Sequence, residues 1–156
     1  MKVPERWRTG RVAIVMMSAL GDAVHVLPVV NALKRHAPAC RLTWILQPGP
    51  AALVRGHPAV DEIVLFEKSR GGRAYPEIRR RLAEPFDLVL ALQVYFKAGL
   101  VTALTRAPVK LGFDRARARD LNWLVSTHRI PPHAPQHVQD QYFEFLDALD
   151  VPHEPV

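Results

Sequence analysis

Arg11-Val12-Ala13-Ile14-Val15-Met16-Met17-Ser18-Ala19-Leu20-Gly21-Asp22-Ala23-Val24-His25 decides how this chain folds. Val12–Met17 is an unbroken apolar run of strand length, as expected of a strand buried on both faces. A turn with one glycine follows. Beyond Asp22, Val26, Val29, Val30 and Leu33 recur at helical spacing, which predicts a helix over 22–36. Pro28 lacks an N–H, so it either bends this helix or marks its true start. A buried strand, a tight turn and an amphipathic helix make the first unit of an open α/β sheet. Such sheets bind ligands beyond the carboxyl ends of their strands, and Ser18, Gly21 and Asp22 occupy one.

The pattern repeats outward. Strands are predicted at 11–16, 41–46, 62–66, 87–92, 109–112 and 127–130. Helices are predicted at 22–36, 50–55, 75–82, 96–105, 120–125 and 136–149, the last on the spacing of Val138, Tyr142, Phe145, Leu146 and Leu149. Alternation of this kind predicts a Rossmann-like, mostly parallel sheet with helices on both faces and right-handed crossovers. Ser69-Arg70-Gly71-Gly72-Arg73 reads as the most flexible loop, and 151–156 as the proline-rich opening of a linker.

The chain has 156 residues, 49% hydrophobic and 23% charged, which suits one domain with a sizeable core. Its net charge of +6 is unevenly placed. Lys68, Arg70, Arg73, Arg79, Arg80 and Arg81 are opposed in their window only by Glu77, and Lys110, Arg115, Arg117 and Arg119 only by Asp114. Such concentration implies an anionic partner, or else a solvated basic face. Nucleic acid is disfavoured because no aromatic side chains interleave with the basic residues; Trp7, Trp44 and Trp123 read as packing residues. Cys40 is the one cysteine, so a disulfide framework is excluded and a reducing compartment expected. Lys2, Arg6, Arg8 and Arg11 ahead of Val12–Leu20 imitate a signal peptide, but the Val/Ile/Met-rich run ending in Gly-Asp reads better as strand and turn.

Asp22 has two readings. A carboxylate at a helix amino end is held as the anion and can take a proton from a hydroxyl, as a general base; aspartate is also a good helix N-cap. Gly21 permits positive φ and close ligand approach, but a dinucleotide loop needs three spaced glycines and a phosphate loop a Gly-Lys-Ser/Thr. His25, three residues after Asp22, can orient a substrate or simply pack. Gln93 and Lys97 follow the fourth strand and can reach the same crevice, or else start a helix in solvent. Arg115, Arg117 and Arg119 alternate, so in an extended segment they fan to one side and can clamp carboxylates or phosphates. No histidine spacing fits a metal site.

These residues together resemble the amino-terminal half of the bacterial lipopolysaccharide heptosyltransferases, a family of inverting GT-B glycosyltransferases. The likeness rests on Arg11–Val15, Ser18-Ala19-Leu20-Gly21-Asp22 with His25, Leu27-Pro28, Ala32-Leu33-Lys34 and Thr43-Trp44. It continues through His57-Pro58-Ala59-Val60-Asp61, Phe86–Leu90, Leu92-Gln93 with Lys97, Gly112-Phe113-Asp114, Arg119-Asp120 and His137. The order and spacing make the match specific, although Gly71-Gly72 stand where the family more often has aromatic and basic residues.

The resemblance implies heptose transfer from ADP-heptose to the inner core of lipopolysaccharide, with Asp22 as base. It implies an acidic acceptor met by Ser18, Gly21, His25, Lys68, Arg70, Arg73, Gln93, Lys97 and Arg119. It further implies no cofactor, no metal, no nucleic acid, and a cytoplasmic enzyme in peripheral contact with the inner membrane. On the family's plan, residues 1–150 form the acceptor-binding domain, 151–156 begin the interdomain linker, and the donor-binding domain is absent, so this chain alone is expected to transfer no sugar. The other reading is a non-catalytic module that holds anionic glycan or lipid on its basic rim.

Overall fold

The computed structural model describes residues 2–154; Met1, and Pro155 and Val156 of the expected linker, lie outside the described residues. Six strands, β1 (Arg11–Val15), β2 (Arg41–Leu46), β3 (Glu62–Leu65), β4 (Leu88–Ala91), β5 (Lys110–Gly112) and β6 (His128–Arg129), form one sheet in the order β3-β2-β1-β4-β5-β6. Every pairing is parallel. The helices are α1 (Leu20–His36), α2 (Pro48–Val54), α3 (Ala74–Arg81), α4 (Phe96–Leu104) and α5 (Val138–Ala148). The sequence placed all six strands and these five helices within a few residues.

Alternation along β1 explains the two layers. Val12, Ile14 and Met16 face a core completed by Val26, Val29, Val30 and Leu33 of α1, Ala51 and Val54 of α2, and Tyr142, Phe145 and Leu146 of α5. Ala13, Val15 and Met17 face the other core, with Ile78 of α3 and Ala98 and Val101 of α4. Successive strand side chains point to opposite faces, so the one apolar run supplies both cores. Trp44 is wholly buried and donates its indole N–H to the Met16 carbonyl at 2.9 Å, which satisfies its polar atom.

Three local expectations are corrected. α1 runs unbroken through Pro28, which therefore does not start it. Residues 120–125 make only a 3₁₀ turn, Asn122–Leu124, because Asp120 and Leu121 have φ of 52° and 61° and cannot join a right-handed helix. The stretch around Ser69–Arg73 is not an open loop but a 3₁₀ run, Lys68–Arg73, broken at left-handed Gly71 (φ 58°) and leading straight into α3.

Candidate functional site

β1 and β4 are neighbours in the sheet, yet their following helices leave on opposite faces: α1 packs with α5, α4 with α3. Strand order reverses between them, and this is where an open α/β sheet opens a crevice. A crevice of about 370 Å³ lies there, lined by Ser18, Gln47, Lys68, Gln93, Lys97 and Asp120 together with Tyr95 and Phe96. Four of the expected acceptor residues, from three different loops, are thus gathered in one place.

Gln93 is 8% exposed, and its carboxamide is spent on the backbone. Its oxygen accepts the Met17 N–H at 3.0 Å, and its nitrogen donates to the Ser18 carbonyl. The same nitrogen lies 3.5 Å from Ser18 Oγ. Gln93 therefore braces the turn joining β1 to α1, while Lys68 and Lys97, both exposed, hold the crevice's positive charge.

Asp22 stands in the first turn of α1, half-buried, four residues after Ser18 of the crevice lining. It is not the N-cap: Ala19 holds that position, and the Asp22 carboxylate reaches back to accept the Ala19 N–H at 3.3 Å. One carboxylate oxygen is thereby engaged locally, and the group sits where the helix amino end favours an anion. Gly21 does not take a positive φ. Space beside it is open, with no atom within 4 Å of where a Cβ would stand, so its smallness leaves access to the helix start.

His25 turns away from the crevice toward α5. Its ring nitrogen meets Gln139 Oε1 at 3.3 Å, Gln139 returns a bond to the His25 carbonyl at 2.7 Å, and the ring packs edge-on against His137 at 5.5 Å. His137 caps α5 by accepting the Gln139 N–H at 3.2 Å. The packing reading of His25 is the one the geometry matches. Tyr142 is the group that sequence reasoning missed, because it fills a helical core position. It is 6% exposed; burial first, and then the charges of Asp22 and Tyr95, push its phenol above the ordinary range. The one signal in the sequence was a hydroxyl-bearing ring in an otherwise apolar stripe.

The arginines divide. Arg70 is held by Glu67 at 2.8 Å and Glu77 at 2.7 Å, outside the crevice lining. Arg73 and Arg119 are exposed. Arg115, Arg117 and Arg119 do not fan from an extended strand, since β5 has ended and a turn at Asp114 has begun. Arg117 is instead bound by Asp114 and, at 2.5 Å, by Glu144, and Arg115 lies over the Trp123 ring at 4.4 Å. Among the described residues, no group of three or more His, Cys, Asp or Glu is placed to hold a metal ion, and no helix is long and apolar enough to cross a membrane.

Comparison with known proteins gives a consistent picture. Residues 76–156 match the model of glycosyltransferase family 9 (heptosyltransferase). The chain is 29% identical over 140 residues to the lipopolysaccharide core heptosyltransferase OpsX of Haemophilus influenzae, covering 89% of this chain and 40% of that protein. It is 30% identical over 155 residues to lipopolysaccharide heptosyltransferase 1 of Pseudomonas aeruginosa, covering 91% of this chain and 43% of that one. Among solved structures, the heptosyltransferase WaaC of E. coli with ADP superposes with a TM-score of 0.82 at 29% identity, over 94% of this chain and 49% of WaaC. WaaC with ADP-2-deoxy-2-fluoro heptose superposes with a TM-score of 0.81. The chain thus spans half or less of the length of these relatives.

Proposed function

Because the chain belongs to glycosyltransferase family 9, the heptosyltransferases, we propose that it forms the acceptor-binding half of an inverting transferase that moves heptose from ADP-heptose to the inner core of lipopolysaccharide. The observation that carries this reading is Asp22. Its carboxylate stands in the first turn of α1, at the strand-order reversal, four residues after Ser18 of a crevice whose exposed charges are Lys68 and Lys97 with the single carboxylate of Asp120. The solved relatives are described with ADP and an ADP-heptose analogue, which supports this class of donor.

The acceptor is an acidic, lipid-borne glycan lying across the crevice. Lys68 and Lys97 meet its negative groups, Arg73 and Arg119 extend the positive field around them, and Ser18 and the open side of Gly21 receive the sugar near Asp22. As the acceptor oxygen attacks the anomeric carbon, Asp22 takes the hydroxyl proton. The bond from that carbon to the donor's phosphate oxygen breaks, ADP leaves with the electron pair, and the configuration inverts. Alignment of base, oxygen and anomeric carbon supplies most of the advantage; no metal-dependent step is needed in this scheme. The enzyme works at the cytoplasmic face of the inner membrane, touching it peripherally.

Asp22→Asn keeps the size and the bond to Ala19 but cannot take a proton. In the full encoded protein it is expected to lower kcat by more than about a hundredfold with acceptor binding retained. Activity within about tenfold of wild type, equivalent to ~1.4 kcal/mol of barrier, would remove Asp22 from the role.

A further inference from the structure

We propose that the loop Arg119–Leu124, together with Tyr95 and Phe96 at the start of α4, seats in the headgroup layer of an anionic lipid bilayer and so turns the crevice toward the membrane. Large apolar side chains are left in water at this rim: Leu121 is 61% exposed, Leu124 60%, Phe96 55% and Tyr95 53%. An exposed apolar group of this size, fringed by cations, marks an interaction surface.

The loop is built to hold that exposure. Asn122 is 4% exposed; its side chain donates to the Tyr95 carbonyl at 3.1 Å and its backbone N–H bonds the Arg119 carbonyl at 2.9 Å, which pins the turn to α4. Leu121 sits at φ 61°, a region unfavourable for a branched side chain, and gains no burial in return. Strain of this kind is retained where a surface is used.

Cations around the leucines outnumber the one carboxylate of the loop, the exposed Asp120. Arg119 is exposed, Arg115 lies 4.4 Å from the Trp123 ring centroid and Arg129 5.9 Å from it, and Lys97 follows Phe96. Apolar tips set among arginine and lysine match an interface of acyl chains and phosphate headgroups. Leu121 and Leu124, the most exposed of the four, offer no ring for a base to stack on, which favours acyl chains over a nucleic acid at the tip of the loop. A second copy docked face to face would bring this arginine cluster against itself. Tyr95, Phe96 and Asp120 also line the crevice, so the seat and the candidate site are continuous. The proposal rests on the reading of a lipid-borne acceptor, and it names the surface that reaches it.

The test is sedimentation of the 156-residue chain with vesicles of phosphatidylcholine alone, or with about one third phosphatidylglycerol. Binding is expected to the anionic vesicles, to fall with salt, and to weaken about tenfold or more in Leu121→Gln/Leu124→Gln. Arg79→Gln/Arg80→Gln, on the outer turn of α3, should change it by less than about twofold beyond its effect on net charge. The proposal is overturned if the leucine pair binds like wild type, if the α3 pair weakens binding more, or if the leucine pair converts a self-associated chain to monomers without vesicles. Vesicle binding is read without sugar transfer, so its failure leaves the role of Asp22 standing, and loss of that role leaves the vesicle result standing.

Discussion

At position 93 only a carboxamide serves both partners. One end must accept the Met17 N–H and the other must donate to the Ser18 carbonyl, in a place with almost no water to substitute. Gln93→Leu leaves both groups unpaired and should cost about 1–3 kcal/mol, read as a lowered denaturant midpoint at unchanged slope. Gln93→Glu keeps the acceptor but sets a carboxylate against the Ser18 carbonyl where water is scarce, so it should cost at least as much. Both variants should also lower turnover in the full encoded protein, because the turn they loosen carries Asp22. The residue type and its place after a strand marked Gln93 as part of the site, but not which way its amide faces. The turn after a neighbouring strand, 75 and 76 residues away, supplies both partners, and nothing in the local pattern encodes them. The same holds for His25, which pairs with Gln139 on a helix more than a hundred residues later.

Arg117 and Asp61 act between elements. Arg117 draws together the turn after β5, Glu144 of α5 and the Pro131 carbonyl, at 2.9 Å, with only 19% of its side chain exposed. Arg117→Met would leave Asp114 and Glu144 facing each other without a counter-charge, a loss of about 3 kcal/mol and a Tm lower by roughly 6–12 °C. Adding Glu144→Gln should restore part of it, measurable by calorimetry. Asp61 accepts the Leu42 N–H at 2.7 Å and Lys34 Nζ at 2.6 Å, tying α1 to the β2–β3 edge. Burial raises its carboxyl, but the Leu42 N–H and Lys34 outweigh burial, so it titrates below the ordinary carboxylate range. A depressed folded value means stability that is present above the unfolded carboxylate pKa of about 3.9 and lost as pH falls through the lower folded value. Asp61→Asn should therefore be less stable than wild type at pH 7, and the gap should shrink below about pH 4 in denaturant titrations. The basic window 110–119 showed its charge in the sequence; that Arg117 spends its charge internally depends on where α5 packs.

For the whole molecule, the relevant scale is the share of its relatives that it spans, 40% of OpsX and 43% of the Pseudomonas enzyme. Residues 1–156 by themselves are expected to bind a heptose-deficient acceptor glycolipid and yet transfer no heptose from ADP-heptose. Turnover by this chain in a radiolabel transfer assay would overturn that. The strand and helix periods, and the apolar run Val12–Met17 that feeds two cores, were legible in the sequence because burial on one or two faces imposes a period on each element separately. Residue type and position after a strand pointed to one crevice for Asp22, Gln93 and Lys97, and the family resemblance added Lys68 among other basic residues. Which of those side chains face one crevice, which are spent holding the fold, and which leucines stay in water was settled only by the tertiary structure. Those outcomes depend on contacts between distant segments, and a local pattern carries no record of its partner.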